Sequence, residues 1–244
     1  MSLRFFRKTG AGELVKKLVT KTVMEHSLIC EGDRILIAVS GGKDSSVLAW
    51  ALSKVKPALK INYELAGLHI STDFCACCKK SVLCQRVEEW GIPFKDLFVP
   101  VIGRLKQGKK MNCYWCSTQR RSELLKYAVE NGFNKIALGH HLDDIVETFF
   151  MNIFFKGVLL AMPVLLKYRK YPVSLIRPLA LLEEKQIIDC ALEQNILKAS
   201  CTCPYGQNSK RRDIRKRITD LNGEEKRRIL KALKIGKINY LEEE

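Results

Sequence analysis

The chain is predicted to fold as an α/β protein with a parallel sheet and helices on both of its faces. Short apolar runs of strand character alternate with segments whose apolar residues recur at helical spacing. Such alternation implies parallel strands buried on both sides. The polar motifs also fall where the strands end, and ligands of parallel sheets sit at the carboxyl ends of their strands.

The elements follow in order. GELVKKLVTKTVMEHSLI (12–29) predicts an amphipathic helix, RILIAVS (34–40) a buried strand, SSVLAWALSKV (45–55) a helix and NYELAGLHI (62–70) a strand. KKSVLCQRVEEWG (79–91) predicts a helix closed by Gly91, PFKDLFVPV (93–101) a strand and SELLKYAVENG (122–132) a helix. KIALG (135–139), DDIVETFFMNIFF (143–155), VSLIRPL (173–179) and EEKQIIDCALEQN (183–195) continue as strand, helix, strand and helix. From about Ser209 the chain turns basic, in SKRRDIRKRI and EEKRRILKALKIGK, and predicts a surface helix pair rather than a second core. No internal repeat, low-complexity stretch or Pro/Gly/Ser-rich linker divides it. The expected organisation is an N-terminal helix over 1–30, one domain over 31–205 and a basic helical extension over 206–244.

Composition narrows the function. With 244 residues and 47% hydrophobic content the chain can bury a full core, which excludes disorder as the default. A formal net charge of +16 implies a polyanionic partner, nucleic acid or an anionic membrane surface. No apolar run reaches the roughly 18 to 20 residues a spanning helix needs, and MSLRFFRKTG lacks the apolar core of a signal peptide. A cytoplasmic location with no membrane partner is therefore expected. There, ten cysteines point to metal or redox chemistry where they cluster rather than to disulfides. Cys113 and Cys116 form a C-x-x-C, Cys201 and Cys203 a C-x-C, and Cys75, Cys77, Cys78 and Cys84 a looser group, irregularly spaced before a helix, that predicts partly buried free thiols, with a zinc site as the alternative. Cys30 and Cys190 stand alone and read as small core residues.

Ser40 to Ser45, in SGGKDS, follow the first predicted strand. Gly41 and Gly42 let the backbone approach phosphates, the following helix directs its N–H groups at an anion, Lys43 adds charge, and Ser40 and Ser45 add hydroxyls. A Walker loop would read G-x-x-x-x-G-K-[ST], and the chain has none. His69 to Asp73 are expected after the second strand and Gly139 to Asp144 after the fourth. Asp143 and Asp144 suit a hard cation, with N-capping by Asp143 as the alternative or additional role. His140 and His141 read either as packing residues or as catalysts.

SGGKDS, CYWCSTQRRSELL, KIALGHHLDDIVETFFMNIFFKG, IRPLALLEEKQI and the late CTCPYG resemble the PP-loop ATP pyrophosphatase superfamily, within it the tRNA 2-thiocytidine synthetases and the related tRNA 2-thiouridine synthetases. The resemblance spans about Arg34 to Arg212. It implies an adenine nucleotide alpha hydrolase-like, Rossmann-like PP-loop domain that cleaves ATP between the α- and β-phosphates and adenylates a nucleobase C2 oxygen, which sulfur then replaces. ATP would be gripped by Ser40, Gly41, Gly42, Lys43, Asp44, Ser45, His69 and Gly139. Lys43, Asp44, Asp143 and Asp144 would be catalytic, with Asp143 on Mg²⁺. Cys113, Cys116 and Cys203 (or Cys201) would hold a [4Fe-4S] cluster with one iron left open to carry sulfur. A four-cysteine zinc site is the rival for the two pairs. Partners would be tRNA, contacted through Arg120, Arg121, Lys210, Arg211, Arg212 and Arg215, and a sulfur donor, either a cysteine desulfurase or inorganic sulfide; a homodimer is a possible assembly. The product expected is 2-thiocytidine at position 32 of the anticodon loop. A 2-thiouridine synthetase, an adenylating or amidating PP-loop ligase without a cluster, and a non-catalytic RNA-binding module are the alternatives.

Overall fold

The computed structural model describes residues 10–74, 80–196 and 210–235. Its centre is β1 (Asp33–Ala38), whose Ile35, Leu36 and Ile37 are fully buried. On either side lie β2 (Tyr63–Thr72), β3 (Phe94–Val99), β4 (Lys135–Ala137), β5 (Leu165–Lys167) and β6 (Ser174–Ile176), in the order β3-β2-β1-β4-β6-β5. Helices α1 (Ala11–Glu25), α2 (Lys43–Leu59), α3 (Lys80–Glu89), α4 (Cys113–Glu130), α5 (Leu142–Lys156), α6 (Glu184–Glu193), α7 (Lys210–Arg217) and α8 (Gly223–Ile235) complete the fold.

Because side chains alternate along a strand, β1 serves two apolar layers. Ile35 and Ile37 join one with Val15, Val19 and Val23 of α1, Val47 to Val55 of α2 and Ile187 of α6; Leu36 joins the other with Leu124 and Leu125 of α4. Each fully buried aliphatic side chain contributes about 1.5–3 kcal/mol of transfer free energy. Leu233 of α8 reaches the first layer as well, so both ends of the described chain pack on the same core.

The chain leaves β1 to form β2 and β3 on one side, then crosses to β4 on the other. β1 pairs in parallel with both neighbours, Ile35 opposite Leu65 of β2 and opposite Lys135 of β4. Strand order reverses between β1 and β4, and a crevice opens at such a switch point beyond the carboxyl ends of the strands. SGGKDS follows β1 and GHHLDD follows β4, so both motifs meet there.

Several details depart from the sequence expectation. β5 is an antiparallel edge strand, Leu165 opposite Ile176, on an otherwise parallel sheet. β2 runs through Thr72, paired with Val99 of β3, so His69 lies inside the strand and not beyond it. α4 begins at Cys113 rather than near Ser122, because the Asn112 side chain accepts a hydrogen bond from Trp115 N (2.8 Å) and caps it. Cys30 is exposed, in the turn where its N–H donates to Asp33, whereas Cys190 is buried. Among the described residues no helix is long and apolar enough to cross a membrane.

Candidate active site

The loop between β1 and α2 is tied by its own serines. Ser45 Oγ donates to the Gly42 carbonyl (3.0 Å), accepts from Ser40 N (3.1 Å) and lies 3.1 Å from Ser40 Oγ. Gly41 has φ +85°, a left-handed conformation that strains any residue with a Cβ. Gly139 supports the loop from β4: a Cβ there would lie 2.9 Å from Ser45 N and 3.0 Å from the Asp44 carbonyl carbon. The glycine thus lets the end of β4 approach the first turn of α2. The first N–H groups of α2 have no partner within the helix and carry its positive dipole end, which is a phosphate cradle.

A cavity of about 400 Å³ opens from this cradle. Ser40, Asp44, Ser45, Gly139, His140 and Asp144 line one wall, and Ser117, Arg120 and Arg121 of α4 the other. Arg120 and Arg121 therefore face the cavity. His69 does not line it: the ring is buried in β2 and Nδ1 donates to the Val39 carbonyl (2.7 Å), steadying the strand end from which the loop departs.

Carboxylates and cations are matched behind the cradle. Lys43 Nζ lies 2.8 Å from Glu184 Oε1 and 3.1 Å from Asp44 Oδ1. Burial opposes its charge, but Glu184 and Asp44 outweigh that and raise the ammonium pKa. Burial likewise opposes the Glu184 carboxylate, and Lys43 holds it below its ordinary value. Asp143 accepts from Lys226 Nζ (2.6 Å) and from Glu184 N (2.7 Å). Against the cost of burial, these groups and His141 keep it well below the usual carboxylate range. Asp144 accepts from Arg211 (3.2 Å) and from His141 N (3.1 Å). Buried Glu147 meets Arg215 Nε at 2.6 Å and Arg211 Nε at 3.6 Å.

This arrangement changes several expected roles. His141, not Asp143, is the N-cap residue of α5, and the Asp144 carboxylate reaches back to its N–H. Asp144 lines the cavity, whereas Asp143 stands behind it on Lys226. Arg211 and Arg215 are struts between α7 and α5, while Arg212 is exposed. The Lys210 side chain lies outside the described residues, although its backbone begins α7. Glu147 and Glu184 lie within the matching segments, but neither they nor Lys226 were singled out as site residues; their roles rest on contacts between distant segments.

The two histidines differ. His140 lines the cavity; burial and the adjacent Arg177 push it down to about 4, so the ring is neutral. Arg177 Nε donates to its Nδ1 (3.3 Å), which leaves the ring proton on Nε2. His141 is buried with Asp143 and Asp144 each 3.4 Å from its ring nitrogens. Burial alone would lower its pKa, but the surrounding carboxylates raise it.

Cys113 and Cys116 occupy the first turn of α4, one turn ahead of Ser117 and Arg120 on the cavity wall. A spacing of three puts both thiols on one face of the helix. Cys113 is exposed and Cys116 half-buried, so these two suit metal or cluster ligation. Cys201 and Cys203, and Cys75, Cys77 and Cys78 of the looser group, lie outside the described residues; Cys84 is half-buried on α3. Among the described residues no three metal-binding side chains converge.

A phosphate-cradling SGGKDS loop at the β1–β4 switch point defines a PP-loop protein, and the PP-loop domain family matches residues 13–221. The chain is 35% identical over 209 residues to tRNA-cytidine(32) 2-sulfurtransferase of Dichelobacter nodosus, covering 84% of this chain and 78% of that protein. It is 34% identical over 236 residues to the protein of that name from Geobacter sulfurreducens, covering 93% and 91%. The chain belongs to the tRNA-cytidine(32) 2-sulfurtransferase family of PP-loop proteins. The solved structure of U34-tRNA thiolase NcsA from Methanococcus maripaludis, with its [4Fe-4S] cluster, has a TM-score of 0.76 at 24% identity, covering 92% of this chain and 78% of that one. NMN synthetase from Francisella tularensis has a TM-score of 0.52 at 14% identity, covering 91% and 85%. At these identities the likeness is one of fold.

Proposed function

We propose that the protein is an ATP-dependent tRNA 2-sulfurtransferase that converts cytidine to 2-thiocytidine at position 32 of the anticodon loop, the site in its relatives' names. The observation that carries this is the shared cavity, with the phosphate cradle on one wall and, on the other, the helix whose first turn bears Cys113 and Cys116. A cluster-free amidating ligase would have no use for that thiol pair.

In this reading the N–H groups of α2 and Lys43 hold the phosphates of ATP. The C2 oxygen of the base attacks the α-phosphorus and pyrophosphate leaves. Sulfide then adds at C2, and the oxygen departs with AMP, a far better leaving group than oxide. Neutral His140 offers an Nε2–H donor toward the reacting oxygens. Asp144, on the cavity wall, would take Mg²⁺ arriving with ATP by releasing Arg211, and Asp143 could join by releasing Lys226. A [4Fe-4S] cluster on Cys113, Cys116 and Cys203 (or Cys201) would supply the sulfur. A cysteine desulfurase or inorganic sulfide would replenish it.

Cys113→Ala tests the reading. Purified anaerobically, this variant should lose its iron and brown colour and form no 2-thiocytidine by nucleoside mass spectrometry, while ATP binding persists. Full thiolation by Cys113→Ala would overturn it, and 2-thiouridine as the wild-type product would move the protein to the neighbouring branch.

A further inference from the structure

Between Leu97 and Ser122 the chain carries six arginines and lysines and no aspartate or glutamate. These residues form the loop after β3 and the first turns of α4. Arg104 is paired with Glu123 (2.6 Å), and Arg120 and Arg121 face the cavity. Lys106, Lys109 and Lys110, just ahead of Cys113, are exposed and make no ion pair among the described residues. Tyr114, beside Cys113, is 81% exposed. Its neighbour Trp115 is anchored instead, the indole donating to the Val101 carbonyl (3.0 Å).

Unmatched positive charge in the loop ahead of α4 thus adjoins in sequence an open aromatic ring in the helix's first turn, between the two thiols and one turn ahead of the cavity-lining Ser117 and Arg120; we call this stretch the lip. In the basic run of α7 Arg211 and Arg215 are engaged with Asp144 and Glu147, which leaves Arg212 and Lys216 exposed without an aromatic neighbour in the run. Lysines on a flexible stem neutralise phosphates without reading sequence. An exposed ring among them suits a base that is not paired in a helix, because every base has a face to stack.

We propose that Lys106, Lys109, Lys110 and Tyr114 form the docking surface for the single-stranded loop of the RNA substrate. The lysines hold the loop backbone, and the Tyr114 ring stacks an unpaired base next to the one being modified. Docking there sets the target base over the Cys113 side of the cavity. The inference rests on the proposed reaction for the identity of the RNA, but names a surface which that reaction leaves open.

Fluorescence anisotropy on the full-length protein with a labelled anticodon stem–loop RNA tests it, without ATP or turnover. Tyr114→Ala should raise Kd roughly tenfold, and Tyr114→Phe, which keeps the ring, should stay close to wild type. Joint replacement of Lys106, Lys109 and Lys110 by alanine should lower the slope of log Kd against log salt by roughly two. An unchanged thermal melt for each variant excludes misfolding. Wild-type binding by both lip variants would overturn the proposal, as would a larger loss from Arg212→Ala with Lys216→Ala on the exposed side of α7. If the wild-type protein binds no stem–loop at all, the proposed function falls together with the docking surface; tight wild-type binding unaffected by the lip leaves that function standing and removes only the surface.

Discussion

On the α5 side of the cavity, at Asp144 on its wall and behind it, the carboxylates meet cations of the chain itself: Lys226 at Asp143, Arg211 at Asp144, Arg215 at Glu147 and Lys43 at Glu184. On the α4 wall Arg120 and Arg121 face the cavity, and the lysines ahead of Cys113 have no counter-ion among the described residues. The first arrangement ties α5, α6, α7 and α8 together around the loop through charge pairs. The second is a standing positive field, which raises the local concentration of a polyanion. In the proposed reading one side serves chemistry on a small triphosphate, the other capture of a large one-signed partner. The net charge of +16 could not distinguish them, because it counts matched and unmatched cations alike.

The largest expected effect comes from breaking the matched side at Lys43, the proposed contact with ATP. Lys43→Met removes the one cation of the loop and leaves Glu184 facing the phosphates. ATP–pyrophosphate exchange should fall by roughly two to three orders of magnitude, with iron content and RNA affinity unchanged. Exchange at the wild-type rate would reduce Lys43 to a strut for Glu184 and move phosphate stabilisation wholly to the α2 N–H groups.

The loop and the GHHLDD turn were legible because their chemistry is local. Glycines, serines and a following helix make a phosphate cradle whatever surrounds them, and strand–helix alternation implied the parallel sheet. Pairings between distant segments were not legible: Lys43 and Glu184 are 141 residues apart, and Lys226 is 83 from Asp143. A run such as KRRDIRKR reads the same whether its arginines face water or brace α5, so the ties of Arg211 to Asp144 and of Arg215 to Glu147 could not be read from it. That Arg120 and Arg121 face the cavity was not legible either, because it depends on the cap at Asn112, which extends α4 back through Cys113. β5 is three residues long with no strand periodicity, and only its pairing with β6 makes it a strand.

A second, smaller effect probes the matching through pH. Lys226 and Asp143 are largely buried, and removing one partner of such a pair costs about 3 kcal/mol, hence roughly 6–12 °C in melting temperature for a chain of this size. Lys226→Met should show that loss at neutral pH. The Asp143 carboxyl sits below its ordinary value of 3.8, although burial works in the opposite direction, because His141, Lys226 and the Glu184 N–H favour the anion. A depressed acid stabilises the fold fully above its unfolded pKa and loses that contribution as pH falls through the folded one. The gap in melting temperature between wild type and Lys226→Met should therefore be full at neutral pH and close in strong acid. A gap that stays constant into acid would mean that Lys226 acts through the packing of its alkyl stem.

The smallest effect sharpens the contrast from the other side. Glu123 is the carboxylate that partly neutralises the lip, 2.6 Å from Arg104, with side-chain exposures of 19% and 38%. A pair this open contributes about 0–1 kcal/mol to stability, so Glu123→Gln should barely move the melting temperature. It should release Arg104, which also touches Gln119 (3.3 Å), into the positive field of the lip. Stem–loop RNA should then bind about twofold tighter at low salt, with a salt slope steeper by at most about one. The gain should vanish at high salt, where the field is screened. Weaker binding by Glu123→Gln would show that Glu123 aims the guanidinium at the RNA, and that the α4 wall, like the α5 wall, depends on an internal counter-ion for its geometry.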